Sequence, residues 1–141
     1  MYSGKCLCGA VAISVNGVIS DIIHCHCSLC RKNSGTAYAT NGFVNRADFV
    51  IEKGQTVLSA FSFKPGRTRY FCQYCGSPVY SSNEQDKARV RVRLGIFDSA
   101  IIERPMSHNF VDSKANWEDL TADLPHYSTF EPNRAIPKPS R

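Results

Sequence analysis

Seven cysteines stand in three tight groups, and the middle group, Cys25-His26-Cys27-Ser28-Leu29-Cys30, constrains the fold most. In an extended segment, side chains two apart share a face. Cys25 and Cys27 can therefore reach one ion while His26 points away. The two-residue gap to Cys30 is the reach of a turn whose ends close on a metal. Three thiolates from one loop make an incomplete tetrahedral cage. A fourth protein ligand would close it into a structural site; an open position would leave room for chemistry.

The flanking groups are Cys6-Leu7-Cys8-Gly9 and Cys72-Gln73-Tyr74-Cys75-Gly76. The latter is a zinc-knuckle signal, a C-x-x-C and glycine turn whose amides can donate to the sulfurs. The start, Met1-Tyr2-Ser3-Gly4-Lys5-Cys6, has no apolar signal core, so secretion is not indicated and a cytoplasmic chain is expected. Cysteines in such a compartment argue for metal or thiol chemistry ahead of disulfides, and an odd number leaves one over from full pairing.

At 141 residues the chain reads as one domain with a modest core. No apolar run is long enough to span a membrane, so no membrane partner is expected. The formal charge of +5 counts cysteines as neutral. Seven thiolates with two dications would add three negative charges and leave about +2. Lys and Arg are scattered, and the tail residues Arg134, Lys138 and Arg141 read as solvation, so no nucleic-acid partner is expected. The oligomeric state is left open.

Strand patterns dominate. Ala10 to Val15 and Val18 to His24 flank Asn16-Gly17, a strong hairpin turn, which would carry Cys8 and Cys25 to one end. A short helical turn is expected from Ser28, stopped at Gly35, its first amides facing the cysteine loop. Further strands are expected over Thr36 to Val44, Asp48 to Glu52, Val57 to Phe63, Thr68 to Phe71, Pro78 to Ser81 and Ala88 to Leu94. In the last, Arg89, Arg91 and Arg93 alternate with Val90, Val92 and Leu94 and read as a solvated face, with a ligand-facing surface as the alternative. Ser113 to Leu120 is expected to form a short helix around Trp117, and Pro132 to Arg141 an extended tail.

Counting suggests how the cysteines divide. Cys6, Cys8, Cys72 and Cys75 complete one tetrahedral site, tying the N-terminus to a distant loop and coupling metal binding to folding. Cys25, Cys27 and Cys30 are left with an open position. Two alternatives stand beside this: one zinc only, with the trio as ordinary thiols, or a trio closed by His24, His26, His108 or His126.

Three stretches then carry a resemblance: Gly4-Lys5-Cys6-Leu7-Cys8-Gly9-Ala10-Val11, Cys25-His26-Cys27-Ser28-Leu29-Cys30-Arg31-Lys32 and Phe71-Cys72-Gln73-Tyr74-Cys75-Gly76-Ser77. With Leu94-Gly95-Ile96-Phe97-Asp98, Pro105, His108 and Trp117, they resemble the glutathione-dependent formaldehyde-activating enzyme family, whose domain is shared with centromere protein V. The resemblance covers about residues 2–124, leaving 125–141 as an extension. It implies a mainly β fold, a β-tent of small antiparallel sheets around zinc-binding loops. It also implies a structural zinc on Cys6, Cys8, Cys72 and Cys75 and an active zinc on Cys25, Cys27 and Cys30.

The implied activity is that of a carbon–sulfur lyase making or breaking S-hydroxymethylglutathione, with glutathione or a similar thiol adduct as partner. A thiol ionised at the open position suits the chemistry better than a polarised aldehyde, because three thiolates weaken zinc as a Lewis acid. Arg31, Lys32, Arg67 or Arg69 would meet glutathione's carboxylates, and Tyr38, Phe43 and Tyr70 could wall the pocket. A binding module without turnover and a thiol or metal sensor are the competing classes.

Overall fold

The computed structural model describes residues 1–132. Its strands, in chain order, are β1 (Tyr2–Lys5), β2 (Ala12–Val15), β3 (Ser20–Cys25), β4 (Ala39–Asn45), β5 (Phe49–Lys53), β6 (Leu58–Lys64), β7 (Arg67–Cys72), β8 (Pro78–Asn83), β9 (Arg89–Arg93) and β10 (Ser107–Asn109). One helix, α1 (Ser28–Ser34), follows β3. A three-stranded sheet runs β1-β2-β5 and a seven-stranded sheet β10-β3-β4-β9-β8-β7-β6. The pairs are antiparallel except β10, which lies parallel to β3. The expected mainly β, tent-like plan is therefore found, with one parallel pair added. No described helix is long and apolar enough to cross a membrane.

The two sheets share an interior. Val15, Ile19, Ile22, Val44, Val90 and Val92 form one cluster, and Cys6, Val11, Ile13, Cys72 and Val79 the other. Phe49, Tyr80 and Phe97 pack against both. Because successive strand side chains alternate, burying Val90 and Val92 turns Arg89, Arg91 and Arg93 to the opposite face of β9.

Three expectations are corrected. The first is the hairpin around Asn16-Gly17: β2 pairs with β1 and β5, whereas β3 pairs with β4 and β10. Val15, Ile19 and Ile22 all enter one core, so the segment crosses between layers instead of folding back. Asn16 N–H bonds the Asp48 carbonyl at 2.9 Å, which fixes the crossing to the start of β5. Second, Ser113 to Leu120 is not a helix. A single 3-10 turn spans Val111–Ser113, and Trp117 stays exposed, so the segment has no apolar face to bury. Third, Arg93 is only 9% exposed, which rules out a freely solvated arginine face. Beyond Pro132, the expected tail lies outside the described residues.

Gly54 shows how closely the chain packs where β5 ends beside the start of β2. Its φ is +85°, and a Cβ there would strike the Ala10 carbonyl oxygen and lie 2.9 Å from Val11 Cα. Gly35, the C-cap of α1 at φ +72°, has open space around it. Gly35→Ala is therefore expected to cost about 1–2 kcal/mol, the left-handed backbone penalty alone. Gly54→Ala should cost clearly more in urea unfolding, because backbone atoms cannot move aside. Equal losses would remove the Ala10 contact as the cause.

Candidate metal and ligand site

Two cysteine clusters are assembled by the strand ends. Cys6 follows β1, and Cys72 ends β7. With Cys8 and Cys75, their sulfurs all lie within 4.8 Å of one another. Cys8 Sγ is 3.6 Å from Cys6 Sγ and 3.7 Å from Cys72 Sγ, a contact spanning 64 positions. Amides support the charge: Val11 N–H donates to Cys6 Sγ at 3.2 Å. The Ser77 hydroxyl oxygen accepts from Leu7 N–H at 3.0 Å and lies 3.3 Å from Cys75 Sγ. The hydrogen bond between Cys75 and Ser77 leads the effects that hold the Cys75 thiol down at about 5. Cys8 goes the other way: an Ala10 backbone hydrogen bond lowers it, but burial and the neighbouring sulfurs push it up to about 11.

The second cluster sits where β3 hands over to α1. Cys25 closes β3, Cys27 is the N-cap of α1, and Cys30 lies in its first turn. Their sulfurs also lie within 4.8 Å of one another. Cys30 N–H donates to Cys27 Sγ at 3.3 Å, so the cap that starts the helix also serves the sulfur. The Cys25 hydrogen bond pushes the Cys30 thiol down to about 4; burial opposes this and Arg69 assists it. Cys25 is pushed above the ordinary thiol range by the same bond and by burial. The Cys25–Cys30 pair thus shares one negative charge, and ionising both calls for a cation between them. Four sulfurs in one cluster and three in the other form a donor set that could hold metal ions, compatible with zinc.

The histidines form a separate group. His26, fully buried, turns its Nε2 to His108 Nδ1 at 2.9 Å. His24 Nδ1 meets Thr40 Oγ1 at 2.8 Å. Tyr38 packs in tilted and edge-on contacts among His24, His26 and His108 and is not among the residues that line the cleft beside the trio. No histidine joins the trio's ligand atoms among the described residues, and His126 is exposed.

Beside the trio lies a cleft of about 350 Å³, lined by Cys25, Cys27 and Cys30 together with Arg67, Arg69, Arg91 and Arg93. Strand register explains the arginines. Arg69 and Arg91 both stand opposite Ser81, and Arg93 stands opposite Asn41, so one face of β7, β8, β9 and β4 carries them. Ser81 is small and buried, which leaves the depression between its large neighbours. Arg69 donates to Asn33 Oδ1 at 2.7 Å and reaches Cys30 Sγ at 3.8 Å.

Of the residues expected to meet a ligand, Arg69 lines the cleft, and Lys32 borders a neighbouring hollow with Phe61 and Phe63. Arg31 is turned away, its Nε donating to the Ser113 carbonyl at 3.1 Å. Phe43 lies under Arg89 and Arg91, and Tyr70 stacks on Tyr80.

Residues 1–113 match the family model described as glutathione-dependent formaldehyde-activating enzyme. The chain belongs to this family. A Halomonas elongata protein, provisionally named a glutathione-dependent formaldehyde-activating enzyme, is 27% identical over 129 residues, covering 85% of this chain and 81% of that one. A crystal structure of a Rhodobacter sphaeroides protein superposes with a TM-score of 0.62 at 22% identity, covering 75% of this chain and 98% of that one; this likeness is one of fold.

In this member of the formaldehyde-activating family, Arg91 and Arg93 line the cleft, which favours the ligand-facing alternative over the solvated face that their alternation with Val90 and Val92 first suggested. Asn33 carried no signal in the sequence; a lone Asn in a short helix makes no pattern. Its Oδ1 accepts from both Arg69 and Arg93, each at 2.7 Å, and joins α1 to the sheet. Asn33→Ala should lower unfolding stability by about 1–3 kcal/mol, because a partly buried charged donor pair loses its acceptor. An unchanged urea midpoint would show that the bridge contributes nothing to stability.

Proposed function

We propose that the protein is a zinc-dependent carbon–sulfur lyase acting on glutathione–aldehyde adducts of the S-hydroxymethylglutathione type. The observation that carries this reading is the three-cysteine cluster opening onto the cleft, with no fourth protein ligand among the described residues. In the synthetic direction, the thiol sulfur forms a bond to the formaldehyde carbon, the carbonyl π pair moves to oxygen, and the thiol proton ends on that oxygen. The reverse direction breaks the same bond. Zinc held by Cys25, Cys27 and Cys30 would stabilise a substrate thiol as its thiolate.

The chain's own residues supply the surroundings. Arg69 brings positive charge to the cleft, 3.8 Å from Cys30 Sγ, and favours an anionic sulfur there. Leu29, Phe63 and Phe110 line the same cleft and reduce water around the reacting atoms. Cys6, Cys8, Cys72 and Cys75 would hold a second, structural zinc, and their position would then tie the start of the chain to the β7–β8 turn.

The first test is of the division of roles. Metal analysis should return two zinc ions per chain. Cys27→Ala should keep a cooperative unfolding transition and lose one ion, whereas Cys72→Ala should lose the folded state. Equal loss of folding in both variants would contradict the division.

The second test is of turnover. Formaldehyde and glutathione combine without an enzyme, so the measurement is exchange between free glutathione and its hydroxymethyl adduct, read by NMR with and without protein. The wild type should accelerate exchange, Cys27→Ala should not, and glutathione should slow alkylation of Cys25, Cys27 and Cys30. Exchange at the uncatalysed rate would leave the protein a binder and not a lyase.

A further inference from the structure

We propose that Arg91 and Arg93, with Arg67 beside them, form a carboxylate-binding subsite that selects anionic thiols over neutral ones at the three-cysteine cluster. The inference rests on the reading that a thiol ligand enters this cleft.

Partnering separates these arginines from an ordinary sheet surface. Arg89, the first of the alternating set, is satisfied by two carboxylates, Asp86 at 2.8 Å and Asp21 at 3.5 Å. Among the described residues, no carboxylate pairs with Arg67, Arg69, Arg91 or Arg93. Among the described residues, three buried guanidinium nitrogens lack a hydrogen-bond partner: Arg67 Nε, Arg91 Nη1 and Arg93 Nη1. Arg93 is 9% exposed, and all three residues line the cleft. Buried donors left unpaired are costly, and such costs persist where a ligand supplies the acceptor.

Geometry fixes what the ligand offers. Arg91 is one strand over from Ser81, whose small side chain leaves the space in front of the guanidinium open. The Arg91 Cζ lies 4.8 Å from the Phe43 ring centre and the Arg67 Cζ 5.5 Å from that of Phe63, so ring faces pack against both guanidiniums. A planar fork held this way matches a carboxylate's two oxygens. The three sulfurs line the same cleft. A ligand that joins a thiol to a carboxylate can meet both groups at once.

The test titrates the zinc-loaded protein calorimetrically with glutathione, glutathione diethyl ester and S-methylglutathione. Esterification removes the carboxylate charges and keeps the thiol; S-methylation does the reverse. The ester should bind wild type about tenfold or more weakly than glutathione, the scale of a lost charged hydrogen bond. Arg91→Gln and Arg93→Gln should lose affinity for glutathione and leave the ester nearly unaffected, while Arg89→Gln should change neither. Should Arg93→Gln fail to fold, Arg91→Gln and the ester comparison on wild type decide the matter.

Equal affinity of glutathione and its ester would overturn the subsite, as would wild-type affinity in both folded variants. The thiol reading would then survive if S-methylation still weakens binding. Should S-methylglutathione bind as tightly as glutathione, and do so through Arg91 and Arg93, the subsite stands and the thiol reading falls. No binding of any of the three compounds overturns both.

Discussion

Sulfur atoms within 4.8 Å of one another cannot all ionise without a cation, and the rest of the molecule depends on that constraint. Unequal titration in both clusters is its signature. Cys30 is pushed down to about 4 while Cys25 goes up, and Cys75 is held at about 5 while Cys8 reaches about 11. A shared divalent ion removes this competition and lets every sulfur carry charge. The two clusters then act differently because of where the fold brings them. Cys72 is fully buried in a core cluster with Cys6, so neutralising the four-sulfur group bears directly on packing. Cys27 is partly exposed at a helix cap beside a cleft, so the three-sulfur group can meet a ligand without opening the core.

Between these clusters, the seven-stranded sheet does two jobs with its two faces. Val90, Val92 and Val44 turn inward to the core, while Arg91, Arg93 and Asn41 turn toward the cleft. The alternation makes the roles inseparable: the register that buries the valines is the register that lines up the guanidiniums. Asn33 then closes the arrangement by holding Arg69 and Arg93 from α1, the helix that also supplies Cys30.

Much of this was legible in the chain itself. The grouping of the cysteines, the short helix from Ser28 to a glycine stop and nearly every strand follow from spacing, turn residues and alternation. The failures share a cause: each needed knowledge of what a segment packs against. Asn16-Gly17 is a good local hairpin turn, yet the demand for Val15, Ile19 and Ile22 in one core sends β2 and β3 to different sheets. Trp117 looked like the anchor of a helix, but no apolar surface receives it. Arg31 lies next to a cysteine in sequence, yet the turn of α1 carries it outward to the Ser113 carbonyl. Alternating arginines are the ordinary pattern of a wet sheet face, and only the register against Phe43 and Asn41 shows that this face is half-covered.

The charge of the cleft gives this architecture its chemical sense. Three thiolates with one divalent ion carry a single net negative charge, whereas four guanidiniums line the same space. Arg69, 3.8 Å from Cys30 Sγ, answers that charge directly. The surplus is positive and partly desolvated, so its field is felt more strongly than on an open surface. A neutral thiol entering the cleft would leave the guanidiniums unpaired. A thiol that carries carboxylates brings them a counter-charge without displacing an ion pair, since Asp86 and Asp21 pair with Arg89 instead. Selectivity for anionic thiols then follows from the unpaired donors themselves, as rejection of ligands that cannot neutralise them.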